Sequence, residues 1–227
     1  ARDTDFGIYN HAGPEVSVAS TKAFVSQLVV SALFTIFLGR QREMSLTMGK
    51  RIGEALKELP DLVRKILTQE QTIIEIAKKY KDSPAILTLG RKYNAPLATE
   101  AAIKFRELCY VSAIDLPAGE MKHGTIALID QNYPTLVIAP DDSVYEKTQS
   151  NIEQISARKG PMIVITTEGN DQIKQYAKDV IYIPKTLEML TPILAVVPVY
   201  LLTYHIARLK NHEIDKPRNL AKSVTVE

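Results

Sequence analysis

The chain has 227 residues, of which 45% are hydrophobic and 24% are charged, and its net charge is +2 at pH 7. These values are those of an ordinary soluble globular protein that can bury one large core or two modest ones. The 28 basic residues are scattered, which excludes an electrostatic case for nucleic-acid binding, and the single Cys109 excludes an internal disulfide and a cysteine metal cluster.

The N-terminal quarter of the chain predicts a short strand followed by two helices. The strand is expected at residues 6–10. After a loop, Ser20 or Thr21 is expected to cap a helix that runs to about Arg42. A second amphipathic pattern follows, and we expect this helix to stop at Pro60.

The first helix carries an apolar run at residues 23–38. This run is shorter than the roughly 20 residues that span a bilayer, and it contains polar side chains, so we expect a buried core helix and no membrane segment. One strand and two helices cannot bury it. Either it packs on the unit that follows, or an upstream part of its domain lies outside this chain. The polar residues 1–5 are not typical of a signal peptide, and we expect a cytoplasmic protein.

From residue 61 onward, short and nearly all-apolar strands alternate with helices. The predicted strands are residues 85–90, 110–116, 135–140, 162–167 and 180–184. Strands that are apolar on both faces and separated by helices indicate a parallel sheet covered on both sides. The predicted fold class is therefore α/β, a doubly wound three-layer sandwich with a five-stranded parallel sheet. Its ligands are expected beyond the carboxyl ends of the strands.

A charged stripe lies in the helix that follows the first of these strands. Glu100, Lys104 and Glu107 are spaced i, i+4, i+7 beside an apolar arc. Such spacing is typical of a solvated face with an i, i+4 ion pair, which contributes a few tenths of a kcal/mol. The alternative is a carboxylate and a lysine turned towards a substrate, able to move protons between adjacent carbons of a sugar. The pattern leaves both interpretations open, although the helix starts at a carboxyl edge of the sheet.

Two further segments carry candidate groups. His123 lies between two glycines in LPAGEMKHG, where an isolated histidine is more often structural or exposed than catalytic. The aperiodic tail would ordinarily be frayed, yet burial of its Leu220, Val224 and Val226 would bring Lys222 against the body of the protein. A lysine in a partly dry site can become a Schiff-base nucleophile.

Four segments together resemble the isomerase half of the glucosamine-6-phosphate synthase family, the glutamine:fructose-6-phosphate aminotransferases. They are HAGPEVSVASTKAFVSQL, LGRKYNAPLATEAAIKFREL, PAGEMKHGTIALID and the terminal DKPRNLAKSVTVE. The resemblance implies two sugar-isomerase (SIS) domains with five-stranded parallel sheets. Residues 1–60 would be the end of an incomplete first SIS domain, residues 61–211 the second SIS domain, and residues 212–227 a catalytic tail.

The resemblance also implies a role for each candidate catalytic residue. Glu107 matches the family's acid–base carboxylate, which moves a proton between C1 and C2 of the sugar. Lys104 matches the lysine that assists at the substrate hydroxyls. His123 matches the histidine that opens the sugar ring and that the neighbouring subunit contributes. Lys222 matches the lysine that forms the Schiff base with the keto sugar.

The substrate-binding positions follow in the same way. Val18, Ala19 and Ser20 match the loop that contacts the sugar, and Glu100 matches a further acidic position near the site. The implied reaction of the complete protein converts fructose-6-phosphate and glutamine-derived ammonia to glucosamine-6-phosphate, in amino sugar biosynthesis. It needs no metal or organic cofactor, and the implied assembly is at least a homodimer.

This chain departs from the family at two places. The family's phosphate-binding loop, Ser-Gln-Ser-Gly-x-Thr, does not occur here, and the corresponding turn contains Asp141 and Asp142, which would repel a phosphate. The glutaminase domain with its N-terminal cysteine nucleophile is also absent, since Cys109 lies inside a predicted helix. We therefore expect this chain alone to bind sugar phosphate poorly and to turn over slowly or not at all.

Two rival functions stay open on the sequence. One is a different SIS enzyme, such as a deglycase of sugar-phosphate amines, which would use the same glutamate and histidine. The other is a non-catalytic sugar-phosphate sensor. The terminal PRNLAKS followed by SVTVE favours the synthase family, because neither rival explains this segment.

Overall fold

The computed structural model describes residues 3–5 and 7–222. In chain order its helices and strands are α1 (Lys22–Arg40), α2 (Leu46–Leu67), α3 (Glu70–Tyr80), β1 (Ala85–Gly90), α4 (Ala95–Lys104), β2 (Ser112–Pro117), β3 (Thr135–Ala139), α5 (Tyr145–Ser156), β4 (Met162–Thr167), β5 (Asp179–Ile183) and α6 (Thr191–Leu209). A π-helical turn, Phe105–Cys109, continues α4, and short 3₁₀ segments fill several connections.

The strands form one five-stranded sheet in the order β2-β1-β3-β4-β5, and every pair is parallel. Each strand lies within two residues of its predicted bounds. Strands β3 and β4 are buried along their whole length, because helices cover both faces of the sheet. The predicted five-stranded parallel sheet is therefore confirmed.

Two apolar layers enclose the sheet. Alternate strand residues point to opposite faces, so that Ile86 packs in the layer with α3, α4 and α6, whereas Leu87 packs in the layer with α5. The first layer is the larger, and α1 and α2 add partly buried side chains to its outer side. This arrangement confirms the three-layer α/β sandwich.

Two local predictions in the N-terminal quarter are wrong. Residues 7–10 form no strand, and Phe6 lies outside the described residues. Ile8 and Tyr9 are exposed, and a strand without a neighbouring strand is not stable. Pro60 does not stop α2, which continues to Leu67. The side of the helix that carries Pro60 is exposed, so that water can bond the carbonyl group that the proline leaves free.

Helix α1 is only partly buried, which corrects the prediction of a buried core helix. Its first half packs on the core through Phe24, Val25, Leu28 and Val29. Its second half exposes large apolar side chains: Leu33, Phe34, Phe37 and Leu38. By length and composition alone, α1 and the segment Glu188–Leu209 could each cross a membrane, but 67% of the second segment's apolar window is buried in the core.

Candidate functional site

The charged stripe lies at the amino edge of the sheet. Helix α4 begins just after the carboxyl end of β1 and returns along the sheet, so its last turns lie near the start of β2. Arg106, in the π turn, donates a hydrogen bond to the carbonyl oxygen of Ala113 in β2 (2.8 Å). The stripe therefore lies away from the carboxyl ends of the strands, where ligands are expected, because Lys104 and Glu107 are at the opposite end of the helix.

The stripe is a largely buried cluster of charges. Lys104 Nζ lies 2.8 Å from Glu107 Oε2 and 3.5 Å from Glu100 Oε1. The Lys104 side chain is 4% exposed, whereas Glu107 retains 26% exposure. Tyr200 of α6 donates a hydrogen bond to Glu100 Oε1 (2.8 Å). The interpretation as a solvated face is wrong, because solvated ion pairs keep both side chains in water.

Burial sets the electrostatics of this cluster. It raises the pKa of Glu100, while the positive charge of Lys104 and the hydrogen bond from Tyr200 act in the opposite direction. The pKa of Tyr200 is also raised, by burial and by the charge and hydrogen bond of Glu100, with contributions from Glu15 and Glu107. The ionisation of Tyr200 therefore responds to carboxylates from two distant parts of the chain.

The π turn determines where Glu107 lies. Phe105–Cys109 is wound more widely than an α-helix, and it ends at Tyr110, whose φ of 54° is left-handed. Such turns occur frequently at functional sites. Here the turn places Glu107, which keeps 26% exposure, 2.8 Å from the amine of the buried Lys104. The structure confirms that Cys109 is a buried helical residue, whereas the sequence carries no recognisable signal for the π turn.

The predicted sugar-contacting loop is held by Glu15. The Glu15 carboxylate accepts hydrogen bonds from Thr21 N (2.8 Å), Ala23 N (3.4 Å) and Ser20 Oγ (2.9 Å). Thr21 is the N-cap residue of α1, as predicted, but its side chain makes no capping hydrogen bond, and the Glu15 carboxylate takes that role. Burial alone would raise the pKa of Glu15, but these hydrogen bonds and the charge of Lys222 lower it below its ordinary value.

The start of the tail packs against the loop and against the end of α4. Val18 N donates to the carbonyl oxygen of Asp215 (2.9 Å), which joins the loop to the tail. The rings of Tyr110 and His212 stack with centroids 4.4 Å apart, and the Arg218 guanidinium lies 4.1 Å from the Tyr110 ring centroid. Arg218 N also donates to the Tyr110 hydroxyl (2.9 Å). This stack anchors the tail next to the π turn.

Lys222 then reaches the loop. Its Nζ donates a hydrogen bond to the Glu15 carbonyl oxygen (2.7 Å) and lies 3.7 Å from Glu15 Oε2. The predicted approach of Lys222 to the body of the protein is confirmed. The predicted burial of Leu220 is wrong, because this residue remains 42% exposed. Val224 and Val226 lie outside the described residues.

The remaining candidates divide between the loop and the opposite edge of the sheet. Ala19 is buried, and Val18 and Ser20 are half-buried beside Glu15. His123 is 76% exposed, with its nearest carboxylate, Glu120, at 3.9 Å. It follows the carboxyl end of β2, whereas Glu107 precedes the amino end of that six-residue strand. At roughly 3.3 Å per residue the two ends of that strand lie about 15 Å apart, so the two residues lie beyond opposite ends of β2.

The sequence reasoning missed Glu15, Tyr110 and Tyr200. Tyr200 carries a hydroxyl group in a largely apolar helix, and this pattern could have identified it as a candidate site residue. Glu15 and Tyr110 have no comparable signal, because their partners are about 200 and 100 residues away.

We expect Tyr200→Phe to move the acid limb of any rate that needs ionised Glu100 to higher pH. The hydroxyl donates to the ionised carboxylate, so its removal raises the pKa of Glu100 further, and the carboxyl group protonates at a higher pH. Titration of the Glu100 side-chain carboxyl signal by ¹³C NMR measures this shift. Tyr204→Phe, one turn along α6, is the matched control, and an unchanged Glu100 titration in Tyr200→Phe would contradict the prediction.

Comparisons with known proteins agree with the α/β fold described above. The SIS domain description matches residues 79–209. Along its whole length the chain is 49% identical to a glutamine–fructose-6-phosphate aminotransferase (isomerizing) of Chlorobaculum tepidum and 46% identical to one of Thermus thermophilus. It spans 37% and 38% of the length of these two curated relatives.

Solved structures show the same fold. The C-terminal domain of glucosamine-fructose-6-phosphate aminotransferase from Francisella tularensis matches with a TM-score of 0.88 at 32% identity, over 95% of this chain and 61% of that chain. A sugar isomerase domain of an RpiR transcription factor from Sphaerobacter thermophilus has a TM-score of 0.61 at 15% identity, over 70% of this chain and 90% of that chain, and shares the fold alone. Since the SIS description covers more than half of the chain and the parallel sheet agrees with it, the chain belongs to the SIS domain family.

Proposed function

We propose that this chain carries the sugar-isomerising site of a glutamine–fructose-6-phosphate aminotransferase. In a protein of the relatives' full length, the site would convert fructose-6-phosphate and glutamine-derived ammonia to glucosamine-6-phosphate in the cytoplasm. The names of relatives that are 40–49% identical along the whole chain support this activity. They do not by themselves assign a role to any residue.

One observation carries the proposal. The tail brings Lys222 Nζ within hydrogen-bond distance of the Glu15 carbonyl oxygen, beside the Val18–Ser20 loop. The tail residues 218–220 line a pocket together with Glu107. The tail thus connects an amine, a loop expected to contact the sugar and a candidate acid–base carboxylate. Imine formation on a keto sugar needs the first, and proton transfer between C1 and C2 needs the last.

Each residue then has a defined task. Lys222 would attack C2 of the open-chain ketose and form an imine with loss of water, and ammonia would then displace the lysine amine from C2. Glu107 would take the proton from C1 and return one to C2, while Lys104 would hold the carboxylate and the neighbouring hydroxyls in place. Glu100 would orient Lys104. His123 would assist ring opening from a second copy of the chain, since it lies far from Glu107 in its own chain.

The direct test is reductive trapping. The purified chain is incubated with concentrated fructose-6-phosphate and borohydride, and the modified peptide is located by mass spectrometry. We expect the adduct at Lys222 and its loss in Lys222→Arg. Lys210→Arg is the matched control, because Lys210 contacts the Cys109 carbonyl oxygen beside the same stack without reaching the loop. An adduct distributed over exposed lysines and insensitive to Lys222→Arg would contradict the proposal.

We expect two inactive variants to complement each other if His123 acts across subunits. In an equal mixture of His123→Ala and Glu107→Gln, about half of freely exchanging dimers are mixed, and each has one intact site of two, so activity returns to about a quarter of the wild-type value. Proton exchange at C1 of the sugar in D₂O, followed by NMR, measures it. Failure to recover activity in a mixture shown to contain mixed oligomers would place His123 outside the reaction.

A further inference from the structure

We infer that Glu15 is a positioning residue of this site, which joins the sugar-contacting loop to Lys222 and aims the lysine amine. The inference rests on the proposed function for its chemistry but on the described contacts for its geometry. The resemblance to the family gave no role to Glu15, which lies some 200 residues from Lys222 in the chain.

The Glu15 carboxylate is almost enclosed, and each of its oxygens has a separate partner. Its side chain is 13% exposed. Oε1 accepts hydrogen bonds from Thr21 N at 2.8 Å and from Ala23 N at 3.4 Å, so it is held at the start of α1. Oε2 accepts from Ser20 Oγ at 2.9 Å and faces Lys222 Nζ at 3.7 Å. One side chain therefore connects the helix, the loop and the tail.

A helix cap alone does not need this arrangement. A cap accepts from the first backbone N–H groups of the helix, and Oε1 does that without Oε2. The second oxygen, Oε2, faces the Lys222 amine. That amine donates its hydrogen bond to the backbone carbonyl oxygen of Glu15. Lys222 is 43% exposed and its aliphatic stem has many rotamers, so an anchor at the amine limits the positions that it samples.

The loop is coupled to the same anchor. Ser20 is one of the residues expected to contact the sugar, and its hydroxyl is oriented by Glu15. Val18 N donates to Asp215 O, and Ser17 Oγ donates to Ile214 O (3.3 Å), so the loop and the tail are also joined through their backbones. The Glu15 side chain is thus positioned to set the distance between the loop and the amine.

Three substitutions separate capping from aiming. Glu15→Gln keeps an oxygen for Thr21 N and a polar group for Ser20, but it removes the charge that faces Lys222. Glu15→Asp keeps the charge and is one methylene shorter. Glu15→Ala removes both functions. The backbone oxygen that accepts from Lys222 stays in all three, so the variants report on the side chain alone. Glu213→Gln is the control in the tail, since among the described residues the exposed Glu213 carboxylate accepts a hydrogen bond from Asp215 N alone.

The first measurement needs no sugar. The rate of reductive methylation with formaldehyde at Lys222, relative to exposed Lys50 in the same sample, reports how firmly the amine is held. We expect Glu15→Gln and Glu15→Ala to increase this relative rate several-fold, and Glu213→Gln to leave it unchanged. Equal labelling of Lys222 in wild type and both variants would overturn the inference, whatever the chain does with a sugar.

The second measurement addresses the chemistry. The rate of borohydride trapping is followed against fructose-6-phosphate concentration, which separates the maximal rate constant from the half-saturating concentration. We expect Glu15→Gln to keep the half-saturating concentration and the melting temperature of the wild type, and to lower the maximal rate about tenfold. Full trapping in Glu15→Gln with loss only in Glu15→Ala would reduce Glu15 to a helix cap. Absence of trapping both in this chain and in a longer chain that also carries the upstream SIS domain would count against the proposed function, while the labelling result would still decide the role of Glu15.

Discussion

Replacing Lys104 by methionine is expected to lower the free energy of unfolding by about 3–5 kcal/mol, the usual cost of removing one partner from a buried ion pair. Lys104 is 4% exposed and neutralises both Glu100 and Glu107. Methionine has a similar length and fills the same space, so the loss comes from the two carboxylates that remain without a cation. Urea unfolding followed by circular dichroism measures it.

A surface pair of the same type provides the control. Lys57 pairs with Glu54 at 2.9 Å, and both side chains are mostly exposed. Lys57→Met is expected to change the free energy of unfolding by about 1 kcal/mol or less. If Lys104→Met were as mild as Lys57→Met, the cluster would be hydrated in solution and the argument from burial would be wrong.

The cost of Lys104→Met should also depend on pH. Burial already raises the pKa of Glu100, and loss of the lysine raises it further. A carboxyl group whose pKa is raised by folding holds its proton more tightly in the folded state, so its contribution to stability is present at low pH and is lost as the pH rises through the folded-state pKa. The difference between variant and wild type is therefore expected to be larger at about pH 7 than at about pH 4.5.

Replacing Glu107 by glutamine is expected to slow proton exchange at C1 of fructose-6-phosphate by about 10²–10⁴-fold, the usual contribution of a general acid–base group. The amide keeps the size of the side chain and its contact with Lys104, but it cannot accept the C1 proton. Incorporation of deuterium from D₂O, followed by proton NMR, measures the exchange.

Imine formation should be little affected by Glu107→Gln, so the test distinguishes proton transfer from imine formation. Lys222 attacks before the C1 proton moves, so borohydride trapping in Glu107→Gln should stay within a few-fold of wild type. Glu120→Gln is the control, because this glutamate is exposed and lies at the other edge of the sheet beside His123. Loss of exchange and trapping together would indicate that Glu107 supports the tail and is not the acid–base group.

The sheet and most of the helices were predictable because their signals are local. Strands such as Met162–Thr167 are apolar on both faces, and this pattern appears within a few residues of sequence. The prediction at Pro60 was wrong because it used only the low helix propensity of proline, which indicates a helix end. The proline lies on the exposed side of α2, and buried neighbours such as Leu59 and Ile66 stabilise the helix.

The candidate site could be predicted only in part from the sequence, and the rest depends on the tertiary structure. By itself the sequence determined the parallel α/β sandwich, the charged stripe of α4 and the amine-bearing tail, because apolar periodicity and short motifs are written within one segment. Only the tertiary structure decided that the stripe is buried at the amino edge of the sheet and that His123 lies at the other edge. It also decided that Tyr200 binds the buried Glu100 and that Lys222 reaches Glu15, because such contacts between distant segments depend on how helices and loops pack, and no local pattern encodes that packing.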